Sequence, residues 1–265
     1  MKKRILALLL VLALLPCLSA CGKQELGVFR PLEVIGTKKC GVICRKGDQI
    51  APVIDAGMRV LSANGTLSAI SFQNLGRDAV KLDGDLGALE ALDRELAHRV
   101  LIVGVHTNLR PLAWEENGEM RGMSVDIARH LCSLLGWELR LQPILETEID
   151  TQLASGNIDC ALGFDGALVK ADKFEPGVSY MESSIVVAVR SESALRRLKD
   201  LKGRHVGTVE DPLVQSALKA SEKLTKYAVG AYVYTSALRC VNAMDGGYCG
   251  AVVMDSLLLS YYSYN

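Results

Sequence analysis

Strand-like and helix-like segments alternate between residues 99 and 162, and this order limits the chain to a few fold classes. Residues 99–105 are rich in Val and Ile, residues 123–135 repeat apolar side chains at helical spacing, and residues 139–141 alternate apolar with polar. A helix from about residue 146 and a strand over 158–162 follow. Because helices that connect strands in this order pack on the faces of a parallel sheet, the segment predicts an α/β fold.

The same alternation starts again after a predicted strand at residues 185–189. Apolar runs and helical spacing predict, in chain order, a strand at 205–209, a helix at 214–223, a strand at 231–234, a helix at 237–244 and a strand at 251–254. We therefore expect two α/β units, each a mainly parallel sheet flanked by helices.

The first third of the chain differs from the rest. Residues 28–36 and 40–45 are each typical of a strand. Apolar side chains at helical spacing over residues 50–61 predict a helix with one apolar face. A short helix is predicted from Thr66. Residues 77–98 form a polar connector that ends in leucines at helical spacing.

The N-terminus has the pattern of a bacterial lipoprotein signal. A basic start precedes an uncharged apolar run over residues 5–15, and small residues then lead to Cys21. The apolar run is too short to span a bilayer. We therefore expect residues 1–20 to be removed and the thiol of Cys21 to carry the lipid. Residues 21–27 would then tether the protein to the extracytoplasmic face of the cell membrane.

Charge and cysteine usage exclude several function classes. Thirty basic residues balance thirty acidic residues and form no basic stripe, so we expect no nucleic-acid partner. The cysteine spacings match no zinc pattern, and no nucleophile motif or glycine-rich phosphate loop is present. We therefore expect that the protein is not an enzyme and holds no metal and no cofactor. We also expect a monomer, although the sequence carries no signal for the oligomeric state. Several of the six cysteines beyond Cys21 are expected to be buried as small apolar side chains.

Five segments carry a recurrent set of short motifs. They are VGVHTNLRPL at residues 103–112, GMSVDIA at 122–128, LASGNIDC at 153–160, LKDLKGRHVG at 198–207 and GAVVMD at 250–255. In this order they resemble the opening three quarters of the extracellular solute-binding proteins of family 3, which serve bacterial amino-acid importers. The resemblance implies a two-lobed, periplasmic-binding-protein-like fold of type II, an amino-acid-like ligand and an ABC permease as partner in the membrane.

Segments that resemble the last quarter of the family's sequence lie near the start of this chain. GTKKCGVICRKGD at residues 36–48 resembles the returning hinge strand of the family, and LSANGTLSAIS at 61–71 resembles its closing segment. The two pieces cover the family once, without overlap or gap. This favours a circularly permuted fold, and the alternative is a rearranged tandem gene.

Permutation implies a particular division of the chain. The first lobe would be continuous over residues 40–187, with 77–98 as the linker that joins the old ends. The second lobe would consist of residues 28–39 and 188–265. Chain ends often lie close together on the surface of a domain, so such a rearrangement is physically reasonable.

The resemblance implies a ligand site between the lobes. Asp255 matches the family's ammonium-binding aspartate, and the alternative is that it caps the following helix. Lys170 is the cation nearest to the position of the family's arginine for the ligand carboxylate, and it is equally well interpreted as a solvated loop charge. Leu109 aligns with the aromatic side chain that usually covers the ligand.

Four further residues complete the predicted ligand-binding set. Trp114 and Phe164 are candidates to replace the missing aromatic, although large aromatic side chains more often belong to a core. Asp165 and Asp211 complete the set, and Asp211, together with Glu210 before it, would add negative charge beside the ligand.

Two functions remain open. In the first, the protein binds a small solute, an amino acid or a related compound, and delivers it to an ABC importer. In the second, the pocket has degenerated, and the lipoprotein acts as a ligand-independent sensor or scaffold at the cell surface. Asp255 favours the first function, whereas the missing arginine and aromatic side chain favour the second.

Overall fold

A computed structural model of the protein describes residues 26–92 and 97–264. The predicted signal at residues 1–20, the predicted lipidation site Cys21 and most of the predicted tether lie outside the described residues, as do residues 93–96 of the connector. Within the described ranges, none of the helices has the length and apolar character needed to cross a membrane.

The secondary structure alternates as the sequence predicts. The described strands are β1 Phe29–Arg45, β2 Val100–His106, β3 Asn108–Leu109, β4 Ala113–Glu116, β5 Glu119–Arg121, β6 Glu138–Ile144, β7 Cys160–Phe164, β8 Phe174–Arg190, β9 Val206–Val209, β10 Ala231–Tyr234 and β11 Ala251–Asp255. The described α-helices are α1 Ala51–Ala63, α2 Thr66–Leu75, α3 Met123–Leu135, α4 Ile149–Ser155, α5 Pro212–Ala220, α6 Glu222–Tyr227, α7 Ala237–Asp245 and α8 Ser256–Tyr264. The α/β fold class is therefore confirmed.

One mixed sheet organises the molecule. Its strand order is β10-β9-β11-β8-β1-β7-β2-β6, and β3, β4 and β5 form a small separate sheet that the sequence did not predict. Strand β9 is parallel to both of its neighbours, and so is β2. The central strands β1 and β8 are antiparallel to each other. We call β7, β2 and β6 the first half of the sheet and β11, β9 and β10 the second half.

Strands β1 and β8 connect the two halves. Each contains 17 residues, and they pair along nearly their whole length. Residues 41–44 of β1 also pair with β7, whereas residues 185–188 of β8 pair with β11. The stretch of β1 around Lys38, which pairs with Ser183, thus lies where the two strands pass from one half to the other.

The prediction of two separate strands at residues 28–36 and 40–45 was wrong, because β1 is continuous. The polar residues between the two apolar segments stay in the ladder with β8. Register shifts between Val34 and Gly36 and between Cys40 and Gly41 occur on either side of them. Such irregularities let a long strand bend without ending.

The predicted helix at residues 214–223 is also corrected. Helix α5 ends at Ala220, and the hydroxyl of Ser221 accepts a hydrogen bond from the backbone N–H of Leu224 at 3.4 Å. A serine in this position starts a new helix, α6, instead of continuing the old one.

Apolar side chains cover both faces of each half. In the first half, Ile54 and Leu131 belong to a core between the sheet and helices α1 to α3, and α4 covers the opposite face with Leu153. In the second half, Leu259 of α8 lies in one core and Val214 of α5 in another. These cores fix the two halves around the crossing strands.

The described part of the connector is attached to the first half. Val80 forms a bridge with Met181 of β8, and the N–H of Lys81 donates to the carbonyl of Tyr180 at 2.9 Å. A Cβ on Gly84 would lie 2.5 Å from backbone atoms of Ala63, at the end of α1. The connector therefore follows the molecular surface closely before it reaches a short 3-10 turn at Glu90–Leu92.

The six described cysteines are buried, as the sequence suggested for several of them, and they form no disulfide. Cys40, Cys44, Cys132 and Cys160 belong to one core, and Cys240 belongs to another, together with Cys249 from the loop before β11.

Candidate functional site

A cleft of about 800 Å³ lies between the two halves of the sheet. Its lining follows the carboxyl ends of the parallel strands β2, β6, β9, β10 and β11, which is where ligands bind in open α/β sheets. The first half contributes residues 106–110 and 144–147, and the second half contributes residues 209–212, Gln215, 235–238, Asp255, Leu258 and Tyr262. The cleft is therefore the candidate site.

A buried lysine lies at the base of this cleft. Lys38 comes from the crossing region of β1, and its side chain is only 2% exposed. Its Nζ atom donates to Oε1 of Glu146 at 3.2 Å and to Oδ2 of Asp211 at 2.5 Å. Glu146 follows β6 and Asp211 follows β9, so this one ammonium joins an acid of the first half to an acid of the second half.

The charges around Lys38 hold it in the protonated form. Burial alone lowers the pKa of Lys38, but the attraction of Asp211, Glu146 and Asp255 outweighs it, so the pKa lies above its usual value. Burial raises the pKa of Glu146 and of Asp255, and Lys38 opposes both shifts. The site is thus a group of three carboxylates arranged around a single ammonium.

Asp211 and Asp255 also cap helices. Asp211 Oδ1 accepts from the backbone N–H groups of Leu213 and Val214 at 2.9 and 3.1 Å, at the start of α5. Asp255 Oδ1 accepts from the N–H of Leu257 at 2.6 Å, and its Oδ2 accepts from the hydroxyl of Ser183 at 2.7 Å. One oxygen of Asp255 thus caps α8, as the alternative interpretation predicts, and the residue also lines the cleft.

A neutral histidine forms part of the cleft wall. His106 Nε2 lies 3.1 Å from the carbonyl oxygen of Gly163, and its ring stacks on Phe164 with 3.9 Å between centroids. Burial, and then the charge of Lys38, lowers the pKa of His106 to about 3. Phe164 is fully buried behind this histidine and does not itself line the cleft.

The structure brings together three of the seven predicted ligand-binding residues. Asp255, Asp211 and Leu109 line the cleft. Phe164, Trp114, Asp165 and Lys170 do not.

The last three of these residues have other surroundings. The guanidinium of Arg110 lies over the ring of Trp114, with its Cζ atom 4.5 Å from the ring centroid. Asp165 accepts hydrogen bonds from the N–H groups of Lys39 and Ala167 at 2.7 and 2.9 Å. Lys170 is exposed on the loop before β8.

A tightly packed glycine positions the loop that carries Leu109 and Arg110. Gly122, at the start of α3, has φ +116°, and a Cβ there would lie 2.6 Å from the carbonyl oxygen of Leu112. The N–H groups of Met123 and Ser124 donate to the carbonyls of Pro111 and Leu112 at 3.0 and 2.9 Å. The glycine thus allows the cleft loop to be bonded directly to the helix.

We expect Gly122→Ala to lower the free energy of unfolding by about 3 kcal/mol, because the side chain adds backbone strain and a clash with backbone atoms. Gly136→Ala, at the other end of the same helix, is the matched control. Gly136 also has a positive φ, +67°, but a Cβ there meets nothing within 4 Å. Gly136→Ala should lower the free energy of unfolding by only about 1–2 kcal/mol. Equal losses for the two variants in urea denaturation would show that close packing at Gly122 is unimportant.

Comparisons with known proteins agree with the fold and the motifs. The model of the bacterial extracellular solute-binding proteins, family 3, matches residues 101–236, just over half of the chain. The arginine-binding extracellular protein ArtP of Bacillus subtilis is 25% identical over 114 residues, which are 43% of this chain and 45% of ArtP. The match thus spans less than half the length of this relative.

A solved structure supports the same fold. The ancestral amino-acid-binding protein AncCDT-1, a precursor of cyclohexadienyl dehydratase, is similar with a TM-score of 0.52 and 22% identity. The likeness covers 62% of this chain and 74% of that one. At this identity it concerns the fold alone, which is periplasmic-binding-protein-like. From the extent of the family match, the chain belongs to the bacterial extracellular solute-binding proteins of family 3.

Proposed function

We propose that the protein binds a small solute, an amino acid or a related compound, in the cleft and delivers it to an ABC importer. The observation that carries this proposal is the cleft of about 800 Å³ at the strand ends of both halves. Its volume is within the range of small-molecule sites, and its lining combines apolar side chains with many polar and charged ones. Family membership and the relative named for arginine binding support the same function.

The proposed ligand contacts are Asp255, Asp211 and Leu109. Asp255 and Asp211 present carboxylate oxygens to a polar group of the ligand, and Leu109 offers an apolar surface to the rest of the ligand. Lys170, Trp114, Phe164 and Asp165 are left out of this set because they lie outside the cleft lining. We further propose that the protein is a monomer and that it has no catalytic activity. Three acids of the cleft, Glu146, Asp211 and Asp255, already bind Lys38 or the N-terminus of a helix, which opposes a role as general acid or base.

We also propose that the protein is held at the extracytoplasmic face of the membrane by a lipid on Cys21. The apolar run before Cys21 supports this location. Leu26 is buried, and its carbonyl accepts from the hydroxyl of Ser263 at 2.6 Å. The tether would therefore be about five residues, or at most about 17 Å of extended chain.

Circular permutation is part of the proposal. In it, residues 40–187 form the first lobe, and residues 28–39 with 188–265 form the second. The pairing of the start of β1 with the end of β8, which adjoins β11, supports this division. The attachment of the connector to β8 and α1 supports its role as the new link between the old chain ends.

Lys38 favours a second candidate function. Its ion pairs to Glu146 and Asp211 join the two halves directly, through side chains of the protein itself. A protein whose two halves are linked in this way fits a sensor or scaffold whose surface does not depend on a ligand.

Thermal melting of residues 22–265 distinguishes the two functions. Amino acids, dipeptides and amines are added singly at millimolar concentration. A solute at a hundredfold excess over its Kd stabilises the folded state by about 2.7 kcal/mol, which raises the Tm by several degrees. We expect one chemical class to raise the Tm. A cooperative transition that none of the compounds moves would contradict solute binding and favour the scaffold.

A further inference from the structure

We propose that the cleft contains a binding position for an alkylammonium group and that the side chain of Lys38 occupies this position in the protein itself. Lys38 would then determine specificity, because it supplies the positive charge that a solute would otherwise bring. This inference goes beyond solute delivery, since it holds whether or not the wild-type protein binds a solute.

The geometry around the ammonium is that of a binding position. Glu146 Oε1 and Asp211 Oδ2 both accept from Lys38 Nζ, at 3.2 and 2.5 Å. Asp211 Oδ1 is already used by backbone N–H groups, so its second oxygen is the one available to a cation. Asp255 adds a third negative charge close enough to raise the pKa of Lys38.

The acids have few other sources of positive charge. Among the described residues, the one further basic side chain that lines the cleft is Arg110. Its guanidinium pairs with Glu116 at 3.3 Å and stacks on Trp114. Removal of Lys38 therefore leaves Glu146, Asp211 and Asp255 without a counter-ion, and a buried carboxylate without one is costly.

The position is accessible from the cleft. Lys38 is buried beneath it, but Glu146, Asp211 and Asp255 are all part of the cleft lining. In Lys38→Ala, the atoms from Cγ to Nζ are lost, and the space they leave opens toward the acids. A free n-propylammonium ion has the same three carbons and the same charge, so it can replace the missing part of the side chain.

The test is chemical rescue of Lys38→Ala by n-propylammonium chloride, followed by thermal melting. We expect the Tm of this variant to rise by several degrees at concentrations well above the Kd, while the Tm of the wild type stays unchanged. 1-Propanol, which has the same size without the charge, should have no comparable effect. Lys38→Met should not respond either, because its side chain fills the same space.

If Lys38→Ala does not fold, circular dichroism measures whether n-propylammonium restores the helical signal, and restoration supports the proposal. The proposal is overturned if the ion has no more effect on Lys38→Ala than 1-propanol, or if it stabilises Lys38→Met, the wild type and Lys38→Ala equally. Failure of the solute screen on the wild type leaves this result unaffected, so the two proposals are tested separately.

Discussion

Lys38→Met is expected to lower the free energy of unfolding at neutral pH by about 3–5 kcal/mol, because removal of one partner from a buried ion pair leaves the other charge uncompensated. Here two acids, Glu146 and Asp211, lose a direct partner, and Asp255 loses a nearby positive charge. Urea denaturation of the two proteins at neutral pH measures the difference.

The loss should become smaller at acid pH. The pKa values of Glu146 and Asp255 are already raised in the folded protein, and they rise further without Lys38. Because the folded variant then binds more protons than the unfolded chain, its stability increases as the pH falls from 7 toward about 4. Lys39→Met is the matched control, since Lys39 is exposed, and it should change stability by less than about 0.5 kcal/mol. A pH-independent loss below about 1 kcal/mol for Lys38→Met would contradict a structural role of the ion pairs.

Stability is also expected to fall steeply above about pH 8.5, where thiols ionise in the unfolded chain. Burial raises the pKa of all six described cysteines: Cys40, Cys44, Cys132, Cys160, Cys240 and Cys249. The values are about 12 for Cys44 and about 11 for Cys132 and Cys249. The folded state therefore keeps protons that the unfolded chain loses. Each such thiol lowers the free energy of unfolding by about 1.4 kcal/mol for each pH unit above the pKa of the thiol in the unfolded chain.

Urea denaturation between pH 8 and 9.5 under reducing conditions measures this slope. Below about pH 10 the contribution of Lys38 and Tyr180 is small, because these groups still carry their protons in the unfolded chain. Cys132→Ala and Cys249→Ala should each make the fall of the free energy of unfolding with pH less steep, by the contribution of one thiol. A stability that stays constant over this range would contradict burial of the cysteines.

Much of the fold follows from local patterns. The helix at Met123–Leu135 and the strand at Ala231–Tyr234 begin and end where their periodicity predicts. These segments are long or sharply bounded, and their apolar positions repeat with one period. The error in β1 has a tertiary cause, since the polar stretch inside it is kept in the sheet by pairing with β8, which is far away in sequence.

The candidate site was predicted only in part. Asp255 and Asp211 follow strands, so sequence alone indicates that they lie at the ligand-binding edge of a sheet. Lys38 was missed because it lies in the interval between the two predicted strands, 28–36 and 40–45. If residues 28–45 are treated as one strand, Lys38 lies on the same face as the apolar Cys40 and Val42, because every second residue of a strand points to the same side. A lysine on a buried face requires acidic partners. Glu146 gave no signal, because its distance from Lys38 depends on the packing of β6 and β1.

Binding of the screened solute in the cleft is the central claim, and calorimetric titration of two tryptophan variants tests it most directly. Thr147, in the 3-10 turn before α4, lines the cleft, whereas Thr151 in α4 is exposed outside the lining. We expect Thr151→Trp to bind the solute with the wild-type Kd. Thr147→Trp should bind at least about tenfold more weakly, a loss of about 1.4 kcal/mol. The same Kd for all three proteins would contradict a binding site between the two halves of the sheet.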